Sequence, residues 1–203
     1  AVYNLKLKYN GNVTDGLLLH VTAPAQGWTV RAYDALTGGS EITDKVLNPA
    51  GFVVFTNSAM IAELRFEVTP SKSVAGNSSQ ILEFNLFASG DPLVKDSLMA
   101  VTINKPFYQP DMAVRRTEDV RFTGEDLVNN NGAGQQKILE VEPAEKATFI
   151  LKIVNQGNSP DSFVVRGPSG GAGWDVHYYD ALYDGNEITA AVTGAGWTNS
   201  PVA

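Results

Sequence analysis

Residues 173–189 read GWDVHYYDALYDGNEIT, and residues 27–43 read GWTVRAYDALTGGSEIT. Trp28 and Trp174 are 146 positions apart (174 − 28), and that offset aligns residues 1–46 with 147–192 without a gap. AVYNLKLKYNGNVTDG lies on ATFILKIVNQGNSPDS, keeping Ala1/Ala147, Leu5/Leu151, Lys6/Lys152, Gly11/Gly157, Asn12/Asn158 and Asp15/Asp161. Gly27/Gly173, Val30/Val176, the run 33–36 on 179–182, and Glu41-Ile42-Thr43 on Glu187-Ile188-Thr189 follow. One residue then drops out, and PAGF (49–52) meets GAGW (194–197).

A period of 146 residues exceeds the usual solenoid unit and has the size of a whole domain, so the repeat predicts an array of independently folding modules. The two copies are out of phase. Copy two carries a leader, residues 109–146, that copy one lacks, and copy one carries a tail, residues 58–107, that copy two lacks. The expected modules are therefore 1–107, without its leader strands, and 108–203, without its C-terminal strands. Such phasing fits an excerpt from a longer array; the other arrangement is one in which neighbouring subunits supply the missing strands.

VYNLKLKYN (2–10) puts Tyr3, Leu5, Leu7 and Tyr9 on one face and Asn4, Lys6 and Lys8 on the other, the period-two pattern of a half-buried strand. NGN and QGN then predict turns, with DGLLLHV and DSFVVRG returning as hairpin partners. Further strands are expected at 28–34, 51–56, 62–70, 80–88, 96–104, 111–116, 137–143, 147–155, 162–167 and 174–180, and no window supports a long helix. Short strands at this spacing, divided by Gly, Pro and Asn turns, predict an all-β protein of tandem immunoglobulin-like antiparallel β-sandwiches. NKPFYQPD (104–111), with two prolines, is the expected junction.

The formal net charge of −7 argues against a nucleic-acid partner, which requires a basic surface to displace counterions. No apolar run is long enough to span a bilayer. The absence of cysteine excludes disulfides, thiolate metal sites and a cysteine nucleophile.

A Trp, three Tyr and four acidic residues within 173–189 suggest either a sugar site or a calcium loop. Asp180, Asp184, Asn186 and Glu187 offer oxygens for calcium, but copy one has Asp34, Gly38, Ser40 and Glu41 there and loses two of the four. A turn with a solvated acidic rim is the stronger reading, and YDGNE is a good hairpin sequence if Gly185 takes positive φ. Trp28 and Trp174 open matching strands, where a large aromatic plugs the space between two sheets. Trp197 falls on Phe52 and reads as another plug. Tyr178 and Tyr183 replace Ala32 and Thr37, so they stand outside the framework and, with Trp197, are the candidates for a glycan contact.

His20 aligns with Arg166 and His177 with Arg31, an exchange expected of solvent-facing cations. Glu140 and Glu142 share one strand face, and TGEDLVNNNGAGQQ (123–136) reads as a long loop, either a contact surface or a connector. NVT at Asn12 and NSS at Asn77 fit the N-glycosylation pattern. Lys6 and Lys152 could form isopeptide crosslinks, though an outward strand face explains them as well. No catalytic motif is present, so no enzyme is expected.

QPDMAVRR, FTGEDLVNNNGAGQ, ATFILKIVNQGNSPDSF, GWDVHYYDA and GNEITAAVTGAGW look like the successive blocks of one repeat, and FEVTPSKSVAGNSS with GDPLVKDSLMAVT like its second half. In this the chain resembles the tandem immunoglobulin-like (fibronectin III-like) repeats of large bacterial and archaeal extracellular surface proteins. The resemblance implies an extracellular, non-catalytic structural module of a surface, sheath or filament protein. Its implied partners are other copies of itself or adjacent repeats. A carbohydrate-binding or adhesive module is the alternative.

Overall fold

The structure is a computed structural model that describes residues 1–11, 15–55 and 61–202. NVT at Asn12 lies outside the described residues. The chain divides into two units, Ala1–Lys105 and Pro106–Ala203. The described residues form antiparallel strands and two helices of four and five residues, so the protein is all-β. No helix among them is long and apolar enough to cross a membrane.

In unit 1 the alternation of VYNLKLK forms β1 (Val2–Lys8), with Leu5 and Leu7 buried and Asn4, Lys6 and Lys8 exposed. Then come β2 (Leu17–Val21), β3 (Trp28–Tyr33), α1 (Thr43–Val46), β4 (Phe52–Phe55), β5 (Ile61–Pro70), β6 (Ser79–Ala88) and β7 (Lys95–Ile103). They make two antiparallel sheets, ordered β1-β5-β3 and β4-β2-β6-β7. The hairpin expected between β1 and β2 does not form: β1 pairs with β5, whereas β2 pairs with β4 and β6. Each strand has one apolar face. Placing β1 and β2 in different sheets lets Leu5 and Leu7 join Leu17, Leu19 and Val21 in one core.

Leu64, Phe66 and Val68 of β5 and Leu82 and Phe84 of β6 fill the centre of that core. Phe66 and Phe84 meet edge to face across the two sheets, centroids 4.8 Å apart. Each such side chain contributes about 1.5–3 kcal/mol by burial. Trp28 is buried as a plug, and Val46 of α1 closes one end of the core.

Unit 2 comprises β8 (Pro110–Arg116), β9 (Phe149–Asn155), β10 (Val164–Val165), β11 (Gly170–Gly171), β12 (Trp174–Asp175), α2 (Thr189–Thr193) and β13 (Trp197–Thr198). Its sheets are two-stranded: β8-β9, β10-β13 and β11-β12. The strand expected over 174–180 is ladder only at β12. The one expected over 137–143 is absent, because no neighbouring edge pairs with it. Glu140 and Glu142 are exposed there.

The 123–136 loop is tied to the sheet. Thr123 bridges Val114, the Asn129 carboxamide accepts from the amides of Asn131 and Gly132, and Gln135 Nε2 donates to the carbonyls of Leu127 and Met112.

Candidate functional site

The stretch that reveals the repeat folds the same way twice. Asp34 N donates to Ser40 O at 3.1 Å and Asp180 N to Asn186 O at 3.1 Å. Ile42 N donates to Ala32 O and Ile188 N to Tyr178 O, both at 2.8 Å. The Thr43 and Thr189 hydroxyls accept from the amides of Ala32 and Tyr178, both at 2.9 Å, and donate to Glu41 and Glu187. Asp34 and Asp180 each accept from the amide six residues on, both at 2.7 Å. A short side chain that satisfies a loop amide is the physical reason these Asp and Thr positions recur. The helix that follows buries Val46 (0% exposed) and Val192 (1%) alike. The sheet partner of the loop's neighbour recurs too. Leu18 and Leu19 pair with Val53 and Phe52, as Val164 and Val165 pair with Thr198 and Trp197.

Three of the four candidate calcium ligands, Asp180, Asn186 and Glu187, are engaged with the protein. Asp180 Oδ1 accepts from Asn186 N and Asp180 Oδ2 from Asn186 Nδ2. Glu187 Oε1 contacts His177 Nδ1 at 2.8 Å as well as Thr189. Asp184 adopts the left-handed region with φ 50°, at the place where Gly38 has φ 66°, so the turn places its positive φ on Asp184 and not on Gly185 as expected. Among the described residues no group of three or more His, Cys, Asp or Glu side chains is arranged to hold a metal.

Tyr178 is half-buried and donates to Pro168 O at 3.0 Å. Tyr183 is 82% exposed at the loop tip, and Trp197 is half-buried in β13. Among the described residues no ring contact joins these three, so the structure does not assemble them into one platform. Asn77, of the second glycosylation motif, is exposed in a left-handed turn.

His177 stands where Arg31 stands in unit 1, and each cation lies beside the equivalent glutamate. Glu187, then Asp175, raises the His177 imidazole above its ordinary range, and His177 in turn lowers Glu187. Arg31 is raised by Tyr33 first and then Glu41. Both cations are exposed.

The largest departure from expectation is Trp174. Trp28 is 8% exposed and Trp174 66%, and Leu5 at 6% becomes Leu151 at 47%. In unit 1, β5 pairs with both β1 and β3, and β6 adds Leu82 and Phe84 to the core that Leu5 and Trp28 join; unit 2 has no counterpart of either strand among its described residues. A cleft in unit 2 is lined by Met112, Val114, Phe149 and Leu151 together with Gln135 and Lys137.

Unit 2 also holds polar groups that spacing alone did not indicate. Asp111 is buried, with Oδ2 accepting from Asp126 N and Gln156 Nε2 and with Oδ1 unpartnered. Asp119 lies well below the usual carboxylate range, held there by Arg116 first and then Lys137. These residues are far apart in sequence or lie in the leader, where copy one offers nothing to compare. Lys152 pairs with Glu125 at 2.8 Å on the surface. No protein-family model, curated protein or solved structure matches this chain.

Proposed function

We propose that this chain is a non-catalytic structural segment of an extracellular surface, sheath or filament protein, built from tandem immunoglobulin-like sandwiches and assembling through contacts between modules. The observation that carries this reading is the recurrence, 146 residues apart, of one set of backbone and Asp/Thr/Glu hydrogen bonds. What recurs is scaffold: loop-closing side chains, a buried valine after them and a matched strand pair. Of the residues that differ, Tyr183 against Thr37 is exposed at the loop tip, whereas Tyr178 is half-buried at the place of the buried Ala32. Modules with separate cores lengthen an array without merging into one cooperative unit, and exposed sheet edges provide the means of contact.

Electron microscopy of the native material tests this. Ordered filaments, tubes or sheets with an axial repeat of one or two modules are the expected result; dispersed particles at all concentrations contradict it. The exposure of Tyr183 favours a second reading, an adhesive or carbohydrate-binding module. That reading predicts glycan-array binding that disappears in Tyr183→Ala.

A further inference from the structure

One face of the β8-β9 pair carries polar side chains that the following loop meets. Asp111 and Ala113 of β8 stand opposite Val154 and Lys152 of β9, and Gln109 and Gln156 continue the same face, with Gln156 N donating to Gln109 O. Asp111 is 5% exposed. Thr123 bridges Val114, and the two residues after Gly124 come to this face: Glu125 meets Lys152, and Asp126 N donates to Asp111 Oδ2 at 3.1 Å.

Two carboxylates share one neutral donor there. Gln156 Nε2 donates to Asp111 Oδ2 at 3.2 Å and to Asp126 Oδ1 at 2.6 Å, and Gln109 Nε2 fixes that carboxamide by donating to Gln156 Oε1 at 3.1 Å. On the same Asp111 carboxylate, Oδ1 is buried and has no hydrogen-bond partner among the described residues.

The charge at this place does not balance. Lys152 gives its ammonium to Glu125 at 2.8 Å, and it is raised by Glu125 first, with Asp111 and Asp126 contributing after it. Arg115 Nη1 donates to the carbonyls of Thr117 and Asp119. Amide donors stabilise a carboxylate without neutralising it, and a buried carboxylate without a counter-charge is costly. A water at Asp111 Oδ1 would add a hydrogen bond and no charge. A proton there would find no acceptor among the described residues.

We propose that Asp111 and Asp126 bind a calcium ion between β8 and the 123–136 loop. Oxygens bonded to the same nitrogen are close enough to share an ion whose ligand shell is about 5 Å across. Asp111 Oδ1 forms the buried base of the site, and Asp126, exposed in the loop, forms its mouth, where water completes the shell. The donors are hard oxygens drawn from a strand and a loop, an irregular set that calcium accepts and magnesium, with its strict octahedron, does not. Two carboxylates are fewer than the groups of three that the described residues lack, and they set the affinity at about 0.1–1 mM, the range of extracellular calcium modules. The ion ties the loop to the sheet. Copy one has no residues at the places of Asp111 and Asp126, so unit 1 has no such site and serves as an internal control. The proposal stands on this geometry and is independent of the reading under Proposed function.

The test is a calcium chloride titration of the 203-residue chain, first stripped with a chelator and then followed by NMR. The Asp126 amide and the Gln156 side-chain amide are expected to shift saturably with a midpoint of about 0.1–1 mM, while unit 1 signals stay in place. Magnesium chloride at the same concentrations is expected to give at most about one tenth of the shift. Asp126→Asn keeps a residue that tolerates the left-handed backbone found there (φ 59°) and is expected to weaken binding about 10-fold or more. Asp111→Asn is expected to weaken it at least as much, and if that variant does not fold Asp126→Asn carries the test alone. Asp184→Asn, in the acidic loop of the repeat, is expected to leave the midpoint unchanged. Absence of a saturable shift up to about 10 mM, ten times the upper end of that range, overturns the proposal. So does an unchanged midpoint in Asp126→Asn, or a response centred on residues 180–187.

Discussion

Leu5 and Leu151 hold the same place in the repeat, on strands that share sequence and sheet face, yet one is buried and the other half-exposed. Val46 and Val192 also share a place, and both are buried. The difference lies in what covers each pair. Val46 and Val192 follow loops closed by the same bonds within 32–43 and 178–189, although Arg65 also donates to Leu36 O in unit 1, whereas Leu5 lies on a strand paired with β5, which comes from much later in the chain. The shared loop bonds are therefore made in both units, and the pairing with a distant strand in one.

The strongest challenge to that contrast is truncation at the unequal pair. Leu5→Ala is expected to destabilise unit 1 by about 3 kcal/mol, through lost burial and the cavity left behind. Leu151→Ala is expected to change unit 2 by about 0.5 kcal/mol or less, as an exposed position does. Denaturant unfolding followed unit by unit measures both, and similar losses at the two sites would break the comparison.

At the equal pair, Val46→Ala and Val192→Ala are each expected to cost about 2 kcal/mol. A small effect at Val192 alone would show that the loop and helix of unit 2 are less firmly packed than those of unit 1. A finer probe is the threonine. Thr43→Val and Thr189→Val each leave one backbone amide, that of Ala32 or Tyr178, without its hydroxyl acceptor, and a matched loss of about 1 kcal/mol is expected in calorimetry of the two variants.

The smallest effect is the pH dependence that belongs to unit 2 alone. The folded-state His177 pKa is raised, so its contact with Glu187 is fully present below the ordinary imidazole range and fades as pH rises through the raised value. Glu187 is lowered, so the same contact fades at the acid end only as pH falls through that lowered value. Arg31 stays charged through neutrality, so an NMR titration through the imidazole range should move signals around residues 177 and 187 while leaving those around Arg31 unchanged.

Strand positions were legible wherever apolar residues alternate, as in VYNLKLK and IAELRFEVTP, because burial on one face writes that pattern directly. Pairing was less legible. The turn residues after β1 suggested a hairpin, but β1 and β2 join different sheets, and only the shared core decides that outcome. KILEVEP has the composition of a strand and no neighbouring edge, so it forms none. Trp174 carries the same signal as Trp28; its exposure follows from strands that no local reading of GWDV contains. The short helices after Ile42 and Ile188 escaped notice because a single turn is too brief for a period to show. For the candidate site, composition drew attention to an acidic, aromatic loop, whereas the geometry engages Asp180 and Glu187 in closing that loop.

The most direct test is residue-resolved hydrogen exchange on the 203-residue chain, comparing amides at equivalent positions. The predicted result is strong protection at Leu5 and Leu7 with near-free exchange at Leu151 and Ile153, alongside protection of similar size at Ile42 and Ile188. Equal protection of Leu5 and Leu151, with β5 still paired to β1, would contradict the claim that the edge of β9 equivalent to the β5-facing edge of β1 is unpaired.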